Sequence, residues 1–283
     1  MWIEGRIVDA AEARVPVFDR GFLYGDSVYE VTRTYGGVPY ALGEHLDRLE
    51  GSARRLGMTL PPRDEIDHAS RETAHAVGGE AYLRIIVTRG SGPISLDPGV
   101  ADAPRLVVIG MPLKLPPEHL YTDGVSVAVV GAKRNAPGGL DPQVKSGNYL
   151  NSVLAVAEAH AKGAFEAIMC DSVGRIAEGS SFNLFLVRGR RLITPPLSVG
   201  ILEGITRRHV ITLARRHGFA VDEGYLWPVD LLRANEAFIT SSVRGIMPIA
   251  TADGHPIGKG RPGPITLQLR DLYEKEAAAA VGA

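Results

Sequence analysis

Hydrophobic and polar positions follow two different periods along this chain. Trp2–Val8 reads as two short strands around a Glu4-Gly5 turn. Val28–Tyr35 alternates with period two, as a half-buried strand does. The Gly36-Gly37 turn and Val38–Leu42 then close a hairpin. Before it, Val15–Phe18 predicts a short strand, and the glycine-punctuated Asp19–Asp26 predicts a loop that carries side chains to a site. The period changes to helical at Leu46, Leu49, Ala53 and Leu56, which make one stripe of a helix over Gly43–Leu56. Arg48 lies beside that stripe, whereas Arg54 and Arg55 face solvent. A second helix is predicted over Arg63–Val77, and strands over Ala81–Val87 and Arg105–Met111. Pro112, Pro116 and Pro117 then interrupt all periodicity. We therefore expect a small domain over residues 1–115, a linker over 116–124 and a larger domain over 125–283.

The second half predicts strands at Val125–Val130, Glu166–Asp171, Arg175–Ala177, Asn183–Val187, Leu192–Thr194 and Glu236–Thr240. It predicts helices at Val153–Lys162, Ile205–His217 and Pro264–Ala279, with a frayed alanine-rich tail. The fold class is α+β. Net charge is −1, which removes the basic footprint of a nucleic-acid binder. The single Cys170 excludes an intramolecular disulfide and suits a reducing compartment. The N-terminus lacks the apolar core of a signal peptide, and no apolar run approaches the ~20 residues of a membrane span. A cytoplasmic protein is expected. The eight histidines are scattered without ligand spacing, so no metal site is expected, and no Gly-x-Ser-x-Gly elbow is present.

Only six residues are lysines, none of them before Lys114. Lys145 stands apart from the rest. It follows the apolar Val144, precedes the small residues Ser146 and Gly147, and sits just ahead of a helix. A lysine amine desolvated in this way becomes a nucleophile that forms Schiff bases with carbonyls; a solvated loop lysine is the alternative. Glu178, in the small-residue run Ala177-Glu178-Gly179-Ser180, is read as a loop carboxylate able to pair with a protonated ring nitrogen. Gly204 precedes a helix whose first N–H groups, at Ile205 and Thr206, suit a phosphate. Ser241 and Ser242 at a strand end, and Arg48 on its helix, offer further phosphate ligands. Each of these also has an ordinary reading as an exposed turn, a helix entry or a surface ion pair.

Together the segments describe a pyridoxal phosphate site, and here the chain resembles the class IV (fold-type IV) pyridoxal phosphate aminotransferases from Trp2 to about Pro248. The likeness rests on Asp19-Arg20-Gly21, Gly25–Glu30, Glu44–Leu49, Val144–Leu150, Glu178-Gly179-Ser180, Gly204–Arg207 and the Thr240–Pro248 turn, in the family's order. It implies a two-domain α+β fold, with a smaller N-terminal α/β domain and a larger C-terminal β-barrel-like domain carrying the cofactor lysine. It also implies a homodimer and a transaminase moving an amino group between an amino acid and an α-keto acid. Lys145 would form the Schiff base and move the proton, and Glu178 would pair with the pyridine nitrogen. Arg48, Ile205, Thr206 and Ser242 would hold the phosphate, and Tyr149 the phenolic oxygen. Tyr24, Tyr29, Val243 and Arg244 would face the substrate.

Within the family, the loop Thr88–Asp97 has no arginine or histidine after Pro93, where the common D-amino acid enzymes carry a carboxylate clamp. It looks more like branched-chain enzymes, although their Gly-Thr-Ala turn is replaced by Ser241-Ser242-Val243-Arg244. Arg244, Arg20 or Arg89 could supply the carboxylate cation instead. A branched-chain or aliphatic amino acid is the expected substrate. A D-amino acid or (R)-amine transaminase, an aminodeoxychorismate lyase and a non-catalytic cofactor-binding protein are the alternatives.

Overall fold

The computed structural model describes residues 1–135 and 138–282. It divides into two compact units. The first takes in Met1–Lys114, Val144–Asn148 and the residues from Ala277 on. Its strands are β1 (Trp2–Ile3), β2 (Arg6–Ile7), β3 (Ser27–Tyr35), β4 (Val38–Pro39), β5 (Ala81–Thr88) and β6 (Arg105–Pro112), in the order β2-β1-β6-β5-β3-β4. Every pairing is antiparallel. Helices α1 (Arg20–Tyr24), α2 (Leu42–Arg55) and α3 (Arg63–Val77) accompany the sheet. The core joins Val28, Ile85, Val87 and Val108 of the sheet to Leu46, Leu49 and Ala53 of α2 and Ile66 and Ala69 of α3, so the predicted helical stripe is buried.

Three expectations change here. Val15–Phe18 forms no strand, and Val17 and Phe18 are exposed. The expected Asp19–Asp26 loop holds a one-turn helix, because the Asp19 carboxylate accepts the Gly21 N–H at 2.8 Å and Gly25 ends the turn in the left-handed region at φ 67°. β3 is buried on both faces rather than one. Its polar residues point inward and are satisfied there. Thr32 donates to the Tyr40 carbonyl, Thr34 donates to Glu80, and Glu30 is bonded by His45. Polarity along a strand signals solvent only when no internal partner exists.

The second unit takes in Leu115–Gln143 and Tyr149–Glu276, within the described residues. Its helices are α4 (His119–Thr122), α5 (Leu150–Ala161), α6 (Ile205–Arg216), α7 (Pro228–Leu232) and α8 (Pro264–Ala280) as far as Glu276. Its strands are β7 (Val125–Lys133), β8 (Glu166–Cys170), β9 (Ile176–Gly179), β10 (Asn183–Arg188), β11 (Arg191–Thr194), β12 (Ala220–Glu223), β13 (Glu236–Ser241), β14 (Gly245–Ala252) and β15 (His255–Pro256). They build one mixed sheet in the order β12-β11-β10-β13-β14-β7-β8-β9, with β15 on β14. Its core includes Val125, Ile168, Leu184, Leu186, Ile239, Met247 and Ile249.

The residues after Ser241 were expected to be only a turn, yet β14 lies in the middle of this sheet. Gly245 and Pro248 disguised it, since proline is rare in central strands; here Pro248 stands opposite Phe238. β12, α7 and β15 were also not anticipated from the pattern. The alanine tail is not frayed: α8 continues to Ala280 and Ala277 is fully buried. The segment assigned as a linker contains α4, whose Tyr121 is buried.

Candidate active site

Lys145 is held by strand pairing rather than by a loop. The Tyr29 N–H donates to the Lys145 carbonyl at 2.9 Å, and the Gly147 N–H donates to the Ser27 carbonyl at 2.9 Å. Ser146 bridges Val28 in antiparallel fashion between them. The segment therefore lies along β3 and groups with the first unit, not with residues 125–283 as its place in the sequence suggested. Val144 secures it by burial among Val28, Leu46 and Leu49. A Cβ on Gly147 would come within 2.3 Å of Ser27 Oγ, so the close approach requires glycine. The Lys145 N–H donates to Ser52 Oγ of α2 at 3.2 Å. The half-buried amine donates to Tyr29 Oη at 3.1 Å and lies 4.4 Å from that ring's centroid.

Arg48 is turned inward from the surface of α2. It grips the fully buried Glu30 of β3 through two bonds of 2.7 Å, Nε to Oε1 and Nη2 to Oε2. His45, one turn earlier on α2, meets Glu30 Oε2 at 2.7 Å. Burial pushes the Glu30 carboxyl up, but the Arg48 charge and the bonds from Arg48 and His45 outweigh it and hold the pKa down to about 2. Burial pushes the His45 imidazole below its ordinary value, against the pull of Glu30. Within the first unit, β3 thus carries Tyr29 toward Lys145 and, as the next residue on the alternate face of the strand, Glu30 toward Arg48 and His45.

Arg84 of β5 joins Tyr29 and was missed by sequence reasoning. Its guanidinium lies 4.1 Å from the centroid of the same Tyr29 ring, and among the described residues no carboxylate lies within 4.0 Å of it. The signal was available: a lone arginine in the apolar run Ala81–Val87 has to find a purpose for its charge. Two arginines that were weighed as carboxylate clamps are committed elsewhere. Arg20 and Arg89 both bond Asp26, at 2.9 and 2.8 Å. Arg20 also reaches the Ser95 carbonyl, and Arg89 the carbonyls of Leu56 and Gly57. Tyr24, at the end of α1, lies under the Arg20 guanidinium at 5.0 Å.

In the second unit Glu178 stands on β9, not in a loop, and is buried. Arg134 Nη2 meets its Oε1 at 2.7 Å, Asn183 Nδ2 donates to Oε2 at 3.0 Å, and the Leu202 N–H lies 3.2 Å from both oxygens. Asn183 also donates to the Leu202 carbonyl at 3.0 Å, so one amide ties Glu178 to the chain that leads into α6. Gly204 caps α6 without a side chain, and a Cβ there would strike Asn183 Oδ1 at 2.0 Å. The first N–H groups of α6, at Ile205 and Thr206, have no side-chain cap and keep the anion affinity of a helix N-terminus. Ser242, Val243 and Arg244 form the turn between β13 and β14. The Arg244 guanidinium pairs with the buried Glu166 at 2.5 Å, Ser180 Oγ donates to the same carboxylate at 2.8 Å, and Tyr121 Oη donates to the Arg244 carbonyl at 3.2 Å. Tyr149 is the half-buried N-cap of α5.

Among the described residues no group of three or more His, Cys, Asp and Glu side chains is placed to hold a metal ion, and no helix is long and apolar enough to cross a membrane.

A family model for amino-transferase class IV matches residues 27–252. A Methanocaldococcus jannaschii protein provisionally named as a branched-chain amino acid aminotransferase is 40% identical over 97% of this chain and 95% of its own. A D-alanine aminotransferase of Bacillus licheniformis is 34% identical, covering 95% of this chain and 94% of that one. The crystal structure of a T.th. branched-chain amino acid aminotransferase with pyridoxamine 5'-phosphate superposes with a TM-score of 0.94 at 31% identity, over 98% of this chain and 93% of that one. The chain belongs to the class IV aminotransferases.

Proposed function

We propose that the protein is a pyridoxal phosphate-dependent transaminase that moves an amino group between a branched-chain or aliphatic amino acid and an α-keto acid. The observation that carries this reading is the Lys145 amine, drawn out of solvent against Tyr29 by strand pairing, in a chain of this family. The residues fit the cofactor. A buried carboxylate at Glu178 suits a pyridine nitrogen, and the uncapped N-terminus of α6 suits a phosphate. When bound, pyridoxal phosphate supplies an electron sink for charge developed at the substrate Cα.

Lys145 attaches the cofactor and carries the proton to and from that carbon. Glu178 holds the ring nitrogen, Ile205, Thr206, Ser242 and Arg48 the phosphate, and Tyr149 the phenolic oxygen. Tyr29 orients the Lys145 amine and, with Tyr24 and Val243, faces the substrate. Arg84 supplies the cation for a substrate carboxylate, a role supported by its lack of a carboxylate partner beside Tyr29. Arg244, the earlier candidate, is occupied by Glu166. The enzyme works as a cytoplasmic homodimer. The branched-chain preference is supported by the relatives' names and by the absence of a cationic clamp after Pro93.

An amine-donor panel tests the reading. Leu, Ile, Val, D-Ala and both 1-phenylethylamine enantiomers are offered with 2-oxoglutarate, while amino acid formation and pyruvate release are followed. L-branched-chain donors are expected to lead. The Lys145→Ala variant is expected to lose turnover together with the visible band of lysine-bound cofactor. Persistence of that band, or the absence of amino acid formation from every donor, would overturn the reading.

A further inference from the structure

Arg134 has no place in the roles above, yet it forms an ion pair with Glu178. Its backbone is anchored by a 2.8 Å bond from its N–H to the Cys170 carbonyl of β8, the strand paired with β9. Its Nη2 sits 2.7 Å from Glu178 Oε1. Its Nε is buried and has no hydrogen-bond partner. Leaving a buried guanidinium donor unmatched carries a cost that folding would shed unless the group's placement served something else. Both side chains are mostly buried, at 17% and 6% exposure, so solvent screens the pair little. Asn183 and the Leu202 N–H hold the same carboxylate from other sides, which limits its rotation.

We infer that Arg134 is a positioning residue for the cofactor's ring nitrogen, acting through Glu178. The inference rests on the reading that Glu178 pairs with that nitrogen. A carboxylate can fix a pyridinium only if its own orientation and charge are fixed. The Arg134 cation opposes any turn of Glu178 away from its anchored edge, and it compensates the charge that burial penalises. Arg134 itself does not touch the cofactor. Its contribution should therefore disappear when the cofactor has no ring nitrogen to hold.

The test uses the full-length apoenzyme, with equilibrium binding of pyridoxal phosphate and of its 1-deaza analogue, in which carbon replaces the ring nitrogen. Arg134→Gln is expected to weaken pyridoxal phosphate about 10-fold and the deaza analogue by less than about twofold, as follows from losing one charge-assisted contact. Arg134→Lys, which keeps the charge, should recover most of the discrimination. Glu178→Gln should lose the same discrimination, and combining it with Arg134→Gln should add nothing further. Equal losses for the two cofactor forms, no loss in Arg134→Gln, or no recovery in Arg134→Lys overturns the role of Arg134. Full discrimination in Glu178→Gln removes instead the reading of Glu178 itself. Thermal unfolding of each apo variant separates these outcomes from simple misfolding.

Discussion

Arg84 and Arg244 are both half-buried arginines, but their partners give them different work. Arg244 is satisfied internally by Glu166, and the turn it closes is braced by Ser241 and Tyr121. Arg84 has an aromatic face and no carboxylate within 4.0 Å among the described residues, so its charge is available to a ligand. Arg84→Leu should therefore raise KM for α-keto acids about 10- to 100-fold, the worth of a charge-assisted bond, while changing KM for neutral amine donors by less than about threefold. Arg244→Leu should spare that contrast and lower stability by about 3 kcal/mol, because it strands the buried Glu166. Steady-state kinetics with paired substrates and urea unfolding of both variants check the assignment.

At the scale of elements, the site depends on a five-residue segment acting as a strand. Val144–Asn148 takes its alignment from β3 through backbone bonds and from α2 through Ser52. Arg48 and Ser52 are one helical turn apart on α2, so a single helix orients both the arginine and the lysine backbone. The tolerance is small. Gly147→Ala would force its Cβ against Ser27 Oγ and lie 3.1 Å from the Gly25 carbonyl. A displacement of about 1 Å at the Lys145 amine is expected to lower kcat about 100-fold. Cofactor absorbance should persist, since the amine itself is retained. Single-turnover kinetics alongside the visible spectrum would show the separation.

For the molecule as a whole, the buried Glu30 cluster sets the response to acid. The Glu30 pKa falls from 4.5 to about 2 on folding, so the unfolded chain binds a proton that the folded one refuses. Its contribution is complete above pH 4.5 and is lost as pH falls toward 2, and amounts to about 3 kcal/mol. His45 acts in the same sense from a higher starting point: its folded pKa lies below 6.5, so stability begins to fall once the unfolded imidazole protonates. Asp26, Asp171 and Asp230 are shifted downward as well and steepen the loss. Urea midpoints should therefore decline from pH 7 through pH 4. Glu30→Gln should lower stability at pH 7 by about 3 kcal/mol and flatten the curve below pH 4.5.

Read by period alone, the chain already disclosed α2, α3, β3, β5 and β6, because each buries a continuous apolar face that repeats at its own spacing. The residues proposed for the cofactor were picked out by type alone, a lysine, a carboxylate among small residues and a glycine-led helix, since Schiff-base, ring-nitrogen and phosphate chemistry each demand a particular group. Polar partners were not legible. Glu30, His45, Ser52, Arg134 and Asn183 give no sign of their partners in one dimension, because a hydrogen bond between residues up to 93 apart leaves no local trace. β14 was concealed by its own proline, and the helical α1 by an aspartate cap that looks the same in a loop. Composition and periodicity determined which groups are present and which elements carry them. Only the tertiary structure decided which arginine is spent on an internal carboxylate and which is left for a ligand, because that depends on distances between strands rather than along them.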